Sequence, residues 1–196
     1  MLRIKKILAP TDLMESSLAG IKYAISLARD HDAEVVVVHV ADDTLMPRIG
    51  MTPYQAEMLT RRRWAVVGEG ILSLIEKELR KKDLLLDDFL TRHIEPEVLR
   101  SAKLKRVTKL GEVVAEIVSV AAEEECDLIV MASRGRGWLA RTVSGSLSEK
   151  VARKAPCPVL TIQPSALVRD DGRPGTGHVY SLEGGAYFAL KLILAH

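Results

Sequence analysis

A chain of 196 residues with 47% hydrophobic content suits one domain with an appendage and is apolar enough to build a core. A formal net charge of +2 argues against nucleic acid as the main partner, and the two cysteines, Cys126 and Cys157, lack metal-like or redox-like spacing, which fits a reducing compartment better than disulfide-stapled secretion. The opening MLRIKKILAP shows no signal-peptide core and no apolar run approaches the roughly 20 residues of a spanning helix, so a soluble cytoplasmic protein with no membrane partner is expected.

Taken in chain order, residues 4–10 (IKKILAP) read as a first strand. ESSLAGIKYAISLARD follows, with Leu18, Ile21, Ala24, Ile25 and Ala28 at helical spacing. AEVVVVHV, residues 33–40, is almost continuously apolar, as a strand covered on both faces of a parallel sheet must be. From 41 to 102 the chain is longer than one crossover needs. ADDTLMPRIGMTP reads as a loop, and a long helix is predicted from about Tyr54 to Lys82 with Trp64, Val67, Ile71, Leu74 and Ile75 inward. DLLLDDFLTRHIEPEVLRSA adds a short helix. KLKRVTKL, residues 103–110, mixes cations into a strand pattern and suits a sheet edge. GEVVAEIVSVAAEEE places Val113, Val114, Ile117 and Ala121 on one helical side, and DLIVMA, residues 127–132, is a second buried strand. CPVLTIQ, residues 157–163, carries Pro158, which cannot donate to a ladder, and is expected at the other edge. SALVRDDGRPGTGHVYSLEGG reads as a flexible linker, and AYFALKLIL as an apolar end able to dock on the domain or on a second subunit.

The alternation βαβαβαβαβ implies an α/β fold: an open five-stranded parallel sheet in the flavodoxin-like order 3-2-1-4-5, with right-handed crossovers and helices on both faces. Residues 1–163 form this domain and 164–196 a C-terminal extension. In that order the first and fourth strands are neighbours at the switch point, where ligands of open α/β sheets bind. The loops leaving them, APTDLMES and ASRGRGWLARTVSGS, face one crevice.

The second loop holds the sharper signal. Gly135 and Gly145 are ten residues apart, and Ser146 comes next at the start of a helix. Glycines allow close backbone approach, and a helix N-terminus offers unpaired N–H groups, so the pattern suits a phosphate; Arg134, Arg136 and Arg141 add positive potential. A second reading stands beside it: Ser146 and Glu149 have capping-box spacing, and Gly135 can serve a turn alone. No Gly-Lys-Ser/Thr sits at P-loop spacing. The formal dinucleotide match Gly135-Arg136-Gly137-Trp138-Leu139-Ala140 comes after the wrong strand and lacks its acidic partner.

The run from Asp127 to Ile162, DLIVMASRGRGWLARTVSGSLSEKVARKAPCPVLTI, together with KKILAPTD and HVADD, resembles the universal stress protein family over residues 3–163. In that family's nucleotide-binding branch the fourth strand is followed by G-x-x-G, nine residues, then G-(Ser/Thr). Gly135, Gly145 and Ser146 fit, while Ala132 replaces the first glycine and adds a methyl beside the ribose. The resemblance implies ATP or AMP, with Mg2+ as an optional companion, as the ligand: Asp12 would contact the nucleoside, Val40 would meet the adenine through its backbone, Ala132 would lie by the ribose, and Gly135, Gly145, Ser146 and Leu147 would hold the phosphates. It also implies a homodimer in which the strand at Cys157–Gln163 pairs with its counterpart. Independently, a carboxylate at the end of the first strand can accept hydrogen bonds from ribose hydroxyls or hold Mg2+, and it can equally brace the turn before the first helix.

Catalysis finds little support. His31, His39, His93, His178 and His196 are scattered without ligand spacing, no G-x-S-x-G elbow occurs, and neither cysteine stands in a cationic loop. No catalytic or metal residue is assigned, and any ATP hydrolysis would be slow. Arg61-Arg62-Arg63 and the run Lys77–Lys82, interleaved with Glu76, Glu78 and Asp83, suit a solvated helix face better than a nucleic-acid groove. Three functions are open: an adenine-nucleotide-binding stress-response regulator, a dimeric interaction module of the same fold without nucleotide, and a nucleotide-using enzyme such as an adenylating or nucleotidyl-transferring protein of related fold, against which the missing acid–base constellation counts.

Overall fold

The computed structural model describes residues 4–42, 69–132, 147–162, 178–183 and 186–191. In chain order these form β1 (Lys6–Thr11), α1 (Glu15–His31), β2 (Glu34–Asp42), α2 (Glu69–His93), α3 (Pro96–Ser101), β3 (Leu104–Gly111), α4 (Val113–Glu123), β4 (Leu128–Ala132), α5 (Leu147–Ala152) and β5 (Val159–Ile162), then β6 (His178–Glu183) and β7 (Ala186–Lys191). One sheet runs β3-β2-β1-β4-β5-β6-β7. Its first five strands are parallel, in the order 3-2-1-4-5 expected from the alternation of elements.

Strand periodicity divides the core into two layers. Ile7, Ala9, Val35 and Val37 pack on one face with Ile21, Ala24, Ile25 and Ala28 of α1 and Leu86, Phe89 and Leu90 of α2. Leu8, Val36 and Val38 pack on the other with Val114, Ile117 and Ala121 of α4 and Val151 and Ala152 of α5. This is why β2 reads as an unbroken valine run: Val35, Val36, Val37 and Val38 are all fully buried, and a strand covered on both faces has no polar side to show. Glu112 starts α4 by accepting hydrogen bonds from the Val114 and Ala115 amides at 3.1 and 2.7 Å, satisfying two of the donors a helix start leaves unpaired.

Two ladders diverge at β1. Pairing with β2 continues to Thr11–His39, whereas pairing with β4 is confined to Ile7–Leu128 and Leu8–Ile129. Pro10 lies just beyond and has no N–H to donate. The β1–β4 ladder thus ends before the carboxyl end of β1, at the point where the strand order reverses.

The chain departs from the sequence-based expectation in three places. The long helix does not stop near Lys82; α2 runs to His93, because Leu86, Phe89 and Leu90 carry its apolar face along the sheet and no helix breaker occurs before Pro96. On that helix Ile75 is buried as expected, but Leu74 is 44% exposed; Trp64 and Val67 lie outside the described residues. The sheet also has seven strands, since the extension folds back: β6 pairs antiparallel with β5, Val159 opposite Tyr180, and β7 pairs antiparallel with β6. The pattern HVYSLE was obscured by the Pro- and Gly-rich run before it. Consequently β5 is not an edge, and the expected homodimer through Cys157–Gln163 meets an edge already occupied by this chain's own β6.

Candidate functional site

Three strand ends converge at the carboxyl edge of the sheet. β1 lies between β2 and β4, and Asp12 directly follows its last residue, Thr11. Val40 is next to His39, the register partner of Thr11. Ala132 closes β4, and counting three residues on from the Leu8–Ile129 pair brings both strands to their ends at Thr11 and Ala132. Asp12, Val40 and Ala132 are all half-buried, so each is held by the fold without being sealed in it. Leu147 opens α5 on the α4 side of the sheet and is 43% exposed. Gly135, Gly145 and Ser146 lie outside the described residues.

The loop carrying Asp12 is tightly wired. Leu13 takes a left-handed backbone, φ 61°, which costs a non-glycine residue of order 1 kcal/mol and must be held by its surroundings. The holding bonds come from side chains. Thr11 Oγ1 accepts from the Leu13 amide at 3.0 Å and shares a hydrogen bond with Ser17 Oγ at 2.7 Å. Asp12 Oδ1 accepts from the Met14 amide at 3.1 Å, and Ser17 Oγ donates to the Met14 carbonyl at 2.7 Å. Asp12 thus does brace the turn, as one reading of its position expected, while its charge remains at the strand end. His39, 7% exposed, reaches across from β2 with Nδ1 3.1 Å from the Thr11 carbonyl. Burial pushes its pKa below the ordinary histidine value, opposed by the bond to Thr11 and by Asp12 and reinforced by Lys82 of α2.

Gly20, unremarked in the sequence, fixes how close α1 stands to β4. A β-carbon there would come 2.8 Å from the Ala132 nitrogen and 3.2 Å from the Met131 carbonyl carbon. The helix therefore rests directly on the backbone of the strand end at the crevice. An isolated glycine inside a strong helical pattern was the available signal.

Burial pushes the Cys126 thiol up to about 12 and the Cys157 thiol to about 11, leaving almost no thiolate at neutral pH. Among the described residues no group of three or more His, Cys, Asp or Glu could hold a metal ion, and no helix is long and apolar enough to cross a membrane. In the cationic run of α2, Arg80 and Lys81 pair with Glu76 and Glu78 on exposed turns, as a solvated face should.

A parallel sheet wound on both faces, with a carboxylate-bearing turn at its switch point, defines a doubly wound α/β protein of the kind that places small ligands at strand ends. The universal stress protein family model matches residues 3–163, and the chain belongs to that family. A universal stress protein of Methanocaldococcus jannaschii is 31% identical over 159 residues, 81% of this chain and 82% of that one. The structure of a second such protein of that organism superimposes with TM-score 0.58 at 25% identity, covering 82% of this chain and 96% of the other. A universal stress protein in complex with cAMP shares the fold, with TM-score 0.50 at 20% identity, 82% of this chain and 98% of that one being covered.

Proposed function

We propose that this chain is a regulator that binds an adenine nucleotide, ATP or AMP, at the carboxyl edge of β2, β1 and β4. The observation that carries the reading is the convergence of Asp12, Val40 and Ala132 at the switch point, beyond the last hydrogen-bonded pair of β1 and β4. Asp12 offers a carboxylate to ribose hydroxyls or to a nucleotide-borne Mg2+, Val40 offers backbone groups to the base, and Ala132 stands at the ribose side. Gly135, Gly145, Ser146 and Leu147 would receive the phosphates, a role that rests on the spacing of the glycines and the start of α5. The same fold carries cAMP in the universal stress protein complex; that likeness is one of fold, so the reading for this chain rests on its own strand ends.

Calorimetric titration with ATP, ADP and AMP, with and without Mg2+, tests it. Saturable heat is expected at micromolar to millimolar nucleotide. Asp12→Asn, which keeps an acceptor for the Met14 amide and removes the charge, should weaken binding about tenfold, the scale of one charge-assisted hydrogen bond. No heat from the wild-type protein at millimolar nucleotide refutes the proposal.

A homodimer through β5 requires β6 to leave that edge. We therefore propose that the full-length chain does not pair through β5, and that a chain ending at Gln163, with its VLTI edge bare, self-associates there. Sedimentation of both proteins decides it. A full-length dimer that persists on truncation with the same interface refutes the idea that the extension guards this edge.

A further inference from the structure

We infer that His39 is a positioning residue for the loop that carries Asp12, acting through its Nδ1–H on the Thr11 carbonyl. A carbonyl oxygen can only accept, so the 3.1 Å contact places the imidazole proton on Nδ1 and fixes the neutral tautomer. The bond joins β2 to β1 at the last register pair of their ladder, one residue before Asp12. Beyond Thr11 no ladder partner guides the loop, and β4 does not help, its pairing with β1 having ended at Leu8. The side chain of His39 supplies the lateral restraint that the sheet no longer gives.

Thr11 is the hub of the loop. Its hydroxyl holds the Leu13 amide and Ser17, and these bonds keep Leu13 at φ 61° and bring the Met14 amide to Asp12. A shift of the Thr11 peptide therefore passes to the carboxylate through two short links. An apolar residue would satisfy the burial of position 39, which lies next to Val35, Val36, Val37 and Val38, all fully buried. A histidine buried this deeply is better explained by what its ring nitrogen holds than by packing.

The affinity part of this inference rests on the proposed nucleotide binding; the loop part does not. Two variants separate the donor from the ring. His39→Leu fills the space without a donor, and His39→Asn places an amide N–H close to where Nδ1–H stands. Hydrogen exchange at the Leu13 and Met14 amides is measured first, without ligand. It should quicken about tenfold in His39→Leu while the amides of Val113–Glu123 keep their rates, and stay near wild type in His39→Asn. Calorimetry with ATP should then show about tenfold weaker binding for His39→Leu, even where its unfolding midpoint equals or exceeds that of the wild type, and near-normal binding for His39→Asn. Unchanged exchange at Leu13 and Met14 in His39→Leu overturns the inference, as does a His39→Asn variant as impaired as His39→Leu. If wild-type protein binds no nucleotide, the proposed function fails, and the exchange rates still decide whether His39 positions the loop.

Discussion

Replacing Gly20 by alanine tests how firmly α1 is seated on the strand end at the crevice. In a solvated helix this change is favourable by about 1 kcal/mol, because glycine carries the larger backbone entropy cost. Here the new methyl would stand 2.8 Å from the Ala132 nitrogen and 3.2 Å from the Met131 carbonyl carbon, against an ordinary contact of about 3.5 Å or more. Both obstructing atoms are backbone of a strand end that β5 holds through the Met131–Thr161 and Ala132–Ile162 pairs, so no side-chain rotation relieves the overlap. Overpacking of this kind costs about 1–3 kcal/mol, and the absence of a yielding partner selects the upper part of that range. Subtracting the helix gain leaves a net loss of about 1–2 kcal/mol. With a urea slope near 2 kcal/mol/M for a domain of this size, the midpoint should fall by roughly 0.5–1 M at unchanged slope. Gly70 of α2 is the internal control, since a β-carbon there meets nothing within 4 Å, and Gly70→Ala should stabilise by up to about 1 kcal/mol. A Gly20→Ala protein as stable as wild type, or shifted in the same direction as Gly70→Ala, refutes the claim that the helix rests on the backbone of β4.

Other consequences are as direct. Glu112→Ala removes the acceptor for the Val114 and Ala115 amides and should lower stability by about 1 kcal/mol in urea unfolding. Because burial raises the Cys157 thiol from 9.0 to about 11, alkylation by iodoacetamide at pH 8 should be about a hundredfold slower in the native protein than in denaturant, and a fast native reaction would contradict the burial. The depressed pKa of buried His39 means that the unfolded chain binds the extra proton first as pH falls below about 6.5. Its contribution to stability is thus complete above that pH and is lost as pH drops toward the lower folded-state value. Melting temperatures from pH 8 to pH 5 should fall more steeply for the wild type than for His39→Asn, and parallel curves would refute the assignment.

The topology could be read from the chain because its signals are local and strong. The valine run at 35–38 has no meaning outside a doubly covered strand, and the helical spacing of Ile21, Ala24, Ile25 and Ala28 shows one buried face. Asp12 can be singled out from its place at the end of a legible strand, whereas Val40 and Ala132 are singled out only through the likeness to the universal stress protein family. The hidden features depend on contacts distant in sequence. Nothing around Leu86 and Phe89 tells that the helix continues past the charges at 80–83, since that is decided by the sheet beneath it. HVYSLE is too short to declare itself a strand without β5 to pair with. The interplay of His39 with Thr11 joins residues 28 apart, and the closeness of Gly20 to Ala132 joins a helix to a strand far along the chain.

Pro10 gives the crevice a property of its own. A missing hydrogen is a covalent fact that no solvent condition can restore, so the ladder between the first and fourth strands stops short of their carboxyl ends whenever the chain is folded. Under the proposed function, a nucleotide arriving at these strand ends breaks no bond between β1 and β4, and its association rate should be set by diffusion and orientation. Restoring an amide there, as in Pro10→Ala, would give the ladder one more donor and a chance to run on toward Thr11.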